Sequence, residues 1–362
     1  MRPEMAAMFE PQSYAGALAC MVVTMLCWGS WANARKLTPG FRFPLFYWDY
    51  VSGLLTATVL LGLTLGSLGS HGRALTADLA QAGAGQLALA AASGAVFNVA
   101  NLLLVAAIEV AGLAVAFPVG IGLALVVGAV SSYGIAPAGN AAWLFTGVGL
   151  VVAAIVCDAA AYAIRERGGV EHTQPAARQA ARKTAKQTRI PARTRAGQAK
   201  RGLGLSVTAG LLMGTFYPLV ARAMQGEHAA GPYSAAIFFA MGAALCALPA
   251  NGMLMRWPID GGKPTTMRAY GDAPMRWHIW GAAGGAMWAV GATLNFVAAA
   301  AGRVGPAVSY AMGQGATMVT AAWGVFVWRE FRGAPPAARW LLAAMFVLFV
   351  AGLTLVALAP LH

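Results

Sequence analysis

Polar side chains that could bind a polar solute lie inside one long apolar run, residues 87–109. At ~100° per residue in a helix, Asn98 and Glu109 fall about 20° apart and Asn101 about 60° to one side, so the three form one stripe. An amide in mid-span can both donate to and accept from a sugar hydroxyl or a ureide carbonyl. Because polar groups are costly in hydrocarbon, Asn98 and Asn101 are predicted to bind substrate, with an interhelical hydrogen bond as the alternative.

Aromatic side chains at the same depth could stack on a sugar or purine-like ring while amides bind its polar edge. The predicted aromatic contacts are Trp28, Trp31, Trp288 and Tyr310. Two further amides are predicted to bind substrate: Asn295, seven residues after Trp288 and so on nearly the same helix face, and Gln314. Core packing is the alternative for the tryptophans.

Two carboxylates, Asp49 and Glu109, lie at the ends of apolar runs that face the same side, and they could accept the proton that a proton-coupled carrier needs. The alternative for Asp49 is an interfacial ion pair with Arg35, and for Glu109 the start of a short turn. A third carboxylate, Asp158, is expected to pair with Arg165.

The composition requires a membrane around these residues. Hydrophobic residues make up 59% of the 362 residues and charged residues only 10%, against about 25% in a soluble domain. Each apolar run is long enough to cross a bilayer, which takes about 20 residues. We number these runs as spans 1 to 10: residues 15–34, 47–68, 87–109, 112–133, 141–164, 203–225, 232–255, 277–300, 304–328 and 337–360. Continuous apolar runs select helices, so the predicted fold is an all-α integral membrane protein with ten transmembrane helices.

The distribution of charge predicts the orientation in the membrane. The net charge is +13, and 21 of the 25 Lys and Arg residues lie in the loops 1–2, 5–6, 7–8 and 9–10, whose side of the membrane we call the basic face. The positive-inside rule then places the basic linker 165–202 in the cytoplasm and both termini outside the cell inner (plasma) membrane. The linker is expected to contact the lipid bilayer, and no nucleic acid partner is predicted, because the tract lacks aromatic residues that stack on bases.

Enzyme chemistry is not predicted. The five histidines lie in loops or at the ends of spans, and no motif of a hydrolase or P-loop occurs. The four cysteines lie in apolar runs without a C-x-x-C pair, so no metal site, cofactor or disulfide is predicted.

An internal repeat divides the chain into two halves of five spans. Residues 112–122 align with 305–315 at an offset of 193, and residues 28–31 align with 213–216 at an offset of 185. Because five is odd, the second half must enter the membrane from the opposite side, which gives a 5+5 inverted-topology repeat suited to alternating access. The predicted units are an N-terminal tail 1–14, a first half 15–164, the linker 165–202 and a second half 203–360. The predicted hinges near the axis are Pro118, Gly120, Gly122, Gly313 and Gly315.

Four segments resemble a known family: residues 25–33, 41–50, 98–103 and 117–122. They are similar to bacterial drug/metabolite transporters of the glucose/ribose porter branch, which is close to the rhamnose-proton symporters and the plant ureide permeases. The resemblance implies a ten-helix carrier with spans 5 and 10 at the periphery. The central linker lacks the Walker-A-like sequence of the plant ureide permeases, so ATP dependence is not predicted.

The sequence therefore predicts a secondary active transporter that moves a small polar solute, a sugar or a ureide or purine-like metabolite, by alternating access with proton coupling. Export of metabolites or drugs and uncoupled facilitated diffusion are the alternatives. The solute, the direction of transport and the oligomeric state are left open.

Overall fold

The computed structural model describes residues 7–171, 192–258, 263–302 and 304–362. Over these residues the regular structure is helical, apart from two isolated bridges between the N-terminal segment and the loop after span 2. Nine helices in this part of the chain are long and apolar enough to cross a membrane. The all-α membrane fold is therefore confirmed. Residues 1–6 of the predicted tail and 172–191 of the predicted linker lie outside the described residues.

The observed helices follow the predicted spans closely. Spans 1 to 8 and span 10 are the helices Tyr14–Ser30, Phe43–Leu63, Ala84–Ala111, Leu113–Ile135, Ala141–Glu171, Ala192–Ala223, Pro232–Arg256, Met275–Ala300 and Pro336–Leu358. Span 2 begins at Phe43 rather than at residue 47, because Pro44 fits the first helical turn, where no backbone N–H is needed. Short helices in three loops are Asn33–Lys36, Leu75–Gln81 and Met267–Gly271.

Span 9 is not one continuous helix. It consists of Gly305–Gly313, Ala316–Ala322 and a π-helical turn, Trp323–Val327. The break falls at Gln314 between two glycines, which are poor helix formers and allow neighbouring helices to approach. Ten continuous spans were expected, so the sequence pattern gave the position of this segment but not its interruption.

The two halves cross at reciprocal glycines. A Cβ added to Gly53 of span 2 would lie 2.0 Å from a carbonyl oxygen of span 8. A Cβ added to Gly285 of span 8 would lie 1.8 Å from a carbonyl oxygen of span 2. Gly94 of span 3 and Gly242 of span 7 contact each other's helices in the same way, both at 1.8 Å. Gly242 follows Gly53 by 189 positions and Gly285 follows Gly94 by 191, so the two crossings are repeats of each other.

The remaining helix contacts follow the same symmetry. Span 6 packs on spans 3 and 4, and span 1 packs on spans 8 and 9, which are their counterparts in the repeat. Spans 5 and 10 pack mainly on each other, as expected for peripheral helices. The repeat thus leaves a central space that is enclosed by both halves.

Candidate functional site

A cavity of about 210 Å³ lies between the two halves. Spans 1, 3, 4, 6, 8 and 9 contribute to its walls. Six of the eight residues predicted to bind substrate line it: Trp28, Trp31, Asn101, Trp288, Tyr310 and Gln314. Lining residues that sequence reasoning missed include Phe97, Phe117, Ile121, Met213, Phe216, Thr317 and Thr320.

The lining follows the internal repeat. At the offsets of 185 and 193 found in the sequence, and of 191 from the crossing glycines, cavity residues fall into five related pairs. These are Trp28 with Met213, Trp31 with Phe216, Phe97 with Trp288, Phe117 with Tyr310, and Ile121 with Gln314. The cavity therefore surrounds the axis that relates the halves. The same offsets, applied to the predicted aromatic residues, could have identified Met213, Phe216 and Phe117 from the sequence.

Two stacked tryptophans form one wall of the cavity. The rings of Trp28 and Trp288 lie 5.4 Å apart at 18°, and Trp28 Nε1 donates to the Trp288 carbonyl oxygen at 3.3 Å. Gly291 and Gly313 seat the Trp28 ring, since an added Cβ on either would lie 2.7 Å from it. Phe97 packs on Trp288 with ring centroids 4.4 Å apart. The packing holds this aromatic surface in place.

The two asparagines of span 3 have different environments. Asn101 lines the cavity, whereas Asn98 is fully buried behind Tyr47. The Tyr47 hydroxyl donates to Asn98 Oδ1 at 2.7 Å, and Asn101 Nδ2 makes a long contact of 3.5 Å to the same hydroxyl. Sequence reasoning did not single out Tyr47, although a tyrosine inside an apolar span was a usable signal. Tyr47 orients the stripe that was predicted from helical spacing.

Asn295 links two helices of the second half rather than lining the cavity. Its Nδ2 donates to the Ser309 carbonyl oxygen at 2.9 Å, and Ser309 Oγ donates to the Asn295 carbonyl oxygen at 2.8 Å. Tyr310 is fully buried at the cavity wall, and its hydroxyl donates to the Ala124 carbonyl oxygen at 3.1 Å. Gln314 reaches the cavity because it lies at the break of span 9.

The predicted hinge residues contact different neighbours. Pro118 lies inside the helix of span 4, and an added Cβ on Gly120 would lie 2.7 Å from Leu104 of span 3. Gly122 has open space around its Cβ position, while Gly315 packs against Met25 of span 1. The close approach of spans 4 and 9 instead lies at Gly128, which faces the Tyr310 ring. A hinge role for these residues stays a prediction.

Asp49 is bound from the second half of the chain. Tyr270 donates its hydroxyl to Asp49 Oδ1 at 2.5 Å, and His278 Nδ1 lies 2.9 Å from Asp49 Oδ2. Arg35, the sequence-based alternative partner, instead donates to the Phe41 carbonyl oxygen at 2.6 Å. The prediction of an interfacial ion pair between Asp49 and Arg35 is therefore wrong.

Glu109 lines a second cavity of about 200 Å³ near the basic face. Arg35 and Arg42 line it too, and the charges of Arg35 and Glu109 interact. The Arg35 guanidinium also lies over the Phe43 and Phe46 rings, 5.7 and 5.2 Å from their centroids. This cavity brings charged groups of the first half together near one entrance to the bundle.

Asp158 does not pair with Arg165, contrary to expectation. Arg165 forms an ion pair with Glu330 at 3.1 Å, and Lys36 pairs with the same carboxylate. Burial alone would raise the pKa of Glu330, but hydrogen bonds and the charges of Lys36 and Arg165 lower it below its usual range. Asp158 Oδ1 is buried without a hydrogen-bond partner among the described residues. Arg165 therefore reaches Glu330 in the loop after span 9 rather than Asp158 in its own helix.

Comparisons with known proteins agree with this architecture. A family model described as ureide permease matches residues 46–201. Ureide permease 4 of Arabidopsis thaliana is 24% identical, with 96% of this chain and 98% of the relative covered. Ureide permease 1 of the same plant is 25% identical, with 95% and 96% covered. A solved crystal structure aligns at 15% identity with a TM-score of 0.51, covering 95% of this chain and 98% of the other, and it supports the fold alone.

These similarities extend over nearly the whole chain, and the relatives are named permeases rather than enzymes. They support a permease, while the glucose/ribose porter branch stays a prediction. The chain is therefore a multi-pass membrane protein of the permease type, a transporter rather than an enzyme.

Proposed function

We propose that this protein is a secondary active transporter that moves a small polar solute through the central cavity by alternating access. The observation that carries the proposal is the cavity itself, which lies between repeated halves and combines a tryptophan wall with amide side chains. Inverted repeats that enclose a site near mid-membrane can rock against each other and expose it to either side in turn. The reciprocal glycine crossings provide close, smooth contacts for that motion.

The chemistry of the lining favours a ureide-like solute. Trp28, which stacks on the buried Trp288, offers a flat surface for a planar ring, and Asn101 and Gln314 can each donate and accept hydrogen bonds. A ureide presents alternating N–H and C=O groups, which complement an amide side chain directly. The names of the plant relatives point to the same class of solute. A sugar, whose ring can also stack on tryptophan, is the second candidate.

The size of the cavity argues against a drug exporter. Its volume of about 210 Å³ is below the roughly 300–1,000 Å³ typical of pockets for drug-sized ligands. A metabolite with a single small ring needs less space. Export of a small metabolite and uncoupled facilitated diffusion remain the alternatives to uptake.

Energy for uptake would come from a proton gradient, with Asp49 and Glu109 as the acidic groups near the basic face. The positive-inside rule supports a basic face in the cytoplasm, both termini outside, and residence in the inner (plasma) membrane. The partners in this proposal are the solute, protons and the lipid bilayer.

Uptake into proteoliposomes tests the proposal. Purified full-length protein would be reconstituted and supplied with labelled allantoin, a hexose, a purine or a cationic drug, with and without a pH gradient. We expect saturable allantoin uptake that a pH gradient increases. Trp288→Leu should weaken uptake, whereas Trp340→Leu should not, because Trp340 lies outside the cavity and is 76% exposed. Equal loss in both variants, or uptake of the drug alone, would refute the proposed site or solute.

A further inference from the structure

One buried carboxylate connects the two halves of the bundle near the basic face. Asp49 lies in span 2 and is 6% exposed, while its two partners belong to the second half. Tyr270, in the short helix Met267–Gly271, binds one carboxylate oxygen, and His278, near the start of span 8, binds the other. Both oxygens are thus held across the boundary between the halves.

The surroundings make this contact dependent on helix position, while about 16% of the His278 side chain stays exposed. Of the elements packed here, span 8 contributes His278, the short helix contributes Tyr270, and the loop before span 2 contributes the apolar Phe41 ring, which meets His278 edge-on at 5.4 Å. Gly281, one turn after His278, leaves room for Asp49, since an added Cβ would lie 2.6 Å from Asp49 Cβ. A shift of span 8 along span 2 would therefore change the contacts of Asp49 directly.

Tyr270 serves as a constant donor in this group. Burial and the neighbouring Asp49 carboxylate raise the pKa of Tyr270 to about 12, so its hydroxyl stays protonated at physiological pH. An ionised carboxylate only accepts hydrogen bonds, so His278 Nδ1 must carry a hydrogen that points to Asp49. The other ring nitrogen, Nε2, is then the position at which a proton can be added or removed.

We propose that Asp49 and His278 together form the proton-coupling site of the transporter, and that His278, which sequence reasoning did not assign, is the group that takes up the proton. The inference rests on the proposed proton-coupled transport. A hydronium ion on the basic side transfers its proton to His278 Nε2, where a new N–H bond forms, and a water molecule is released. The Asp49 carboxylate and the imidazolium then form a pair without net charge, which tolerates low polarity better than the carboxylate alone.

The repeat-related crossing of spans 3 and 7 does not carry an equivalent of this site. In the register of the crossing glycines, the counterparts of Asp49 and His278 are Phe238 of span 7 and Leu87 of span 3. Both counterparts are apolar and contribute to the hydrophobic core. Proton uptake therefore changes the contacts at the crossing of spans 2 and 8 and not those at the crossing of spans 3 and 7. Coupling then acts at one of the two crossings around which the halves rock.

Two transport assays with labelled allantoin in proteoliposomes separate coupling from binding. Counterflow at equal pH reports solute exchange, and accumulation driven by a pH gradient reports coupling. We expect Asp49→Asn and His278→Gln to retain counterflow but to bring the accumulation ratio to about one, the value for zero coupling free energy. The matched controls are Asp272→Asn, on an exposed carboxylate, and His228→Gln, on an exposed histidine of the opposite face, and both should keep accumulation. Gradient-driven accumulation in His278→Gln would overturn the inference.

Failure of the proposed function has a different signature. A wild-type protein that shows allantoin counterflow without gradient-driven accumulation would refute proton coupling, and with it this site. Thermal unfolding in detergent gives a test that needs no solute. Asp49→Asn and His278→Gln should each shift the unfolding midpoint, and the double variant should shift it no further, because both substitutions remove the same contact. Additive effects of the two substitutions would mean independent groups and would overturn the inference.

Discussion

The crossing of spans 2 and 8 and the crossing of spans 3 and 7 have the same backbone geometry but different side chains. Each is built on two glycines that face the partner's carbonyl oxygens, at positions related by the internal repeat. The first carries a contact between a buried carboxylate and a histidine, Asp49 with His278, and the second has Phe238 and Leu87 at the equivalent positions. The two crossings therefore share a backbone arrangement while their side chains make them chemically different.

The cavity shows the same relation between symmetry and side-chain chemistry. Five pairs of repeat-related residues contribute to its walls, but their polar members are unevenly distributed, since Gln314 corresponds to Ile121 and Tyr310 to Phe117. A solute in the proposed site would meet the tryptophan wall together with the amides of Asn101 and Gln314.

The largest effect on stability is expected when one partner of the contact between Asp49 and His278 is replaced. His278→Leu leaves the buried Asp49 carboxylate with Tyr270 as its remaining partner from the second half, and removing one partner of a buried pair costs up to about 3–5 kcal/mol. Asp49→Leu combined with His278→Leu makes this crossing apolar like the other one and should recover most of that stability, because apolar replacement of a buried pair is often neutral. The free energy of unfolding in mixed micelles measures both. A double variant as unstable as His278→Leu would contradict this account.

A smaller and equal effect is expected at the shared glycines. Gly242→Ala and Gly285→Ala each place a Cβ within 1.8 Å of a carbonyl oxygen, so the helices must separate. Overpacking of this kind costs about 1–3 kcal/mol. Gly252→Ala, in span 7 with open space at its Cβ position, is the control and should be neutral or slightly stabilising. Unfolding that responds at one crossing alone would show that the two are not equivalent.

Substitutions at a repeat-related pair in the cavity should alter solute affinity. Trp288→Leu removes the ring on which Trp28 stacks, an interaction worth about 0.5–1.5 kcal/mol, which corresponds to a rise in KM of roughly 2–12-fold for allantoin uptake. Phe97→Leu should have the smaller effect, since Leu retains most of the apolar contact with Trp288. A larger rise in KM for Phe97→Leu would mean that Phe97, rather than Trp288, holds the aromatic wall in place.

The smallest effect concerns Glu330, which links spans 1 and 5 to the loop after span 9. Because its pKa is lowered in the folded protein, its stabilising contribution is present above the pKa of the unfolded chain and is lost as the pH falls through the lowered value. The group is partly exposed, so the contribution is about 0–1 kcal/mol. Unfolding of the wild type and of Glu330→Gln should differ at neutral pH and converge once the pH falls below the lowered pKa of Glu330. A difference that grows on acidification would contradict the assigned sign.

Hydrophobic runs determined most of the fold in advance. Their length fixed the helices, their continuity excluded a barrel, and the repeat indicated two halves of opposite insertion. The sequence also predicted Trp28, Asn101 and Trp288 as substrate contacts, and all three line the cavity. The break in span 9 was not predicted, because glycines also occur in continuous membrane helices, and the packing around Gly313 and Gly315 is visible only in the structure.

The sequence by itself determined an all-helical membrane bundle with an internal repeat, because the exclusion of water from hydrocarbon leaves the backbone few other choices. Tertiary structure alone decided which polar groups meet. Asp49 contacts His278 and Tyr270 rather than Arg35. Arg165 forms an ion pair with Glu330 rather than with Asp158. Partners separated by more than 150 positions are selected by helix crossings, and the position of a residue along its own span carries no information about them.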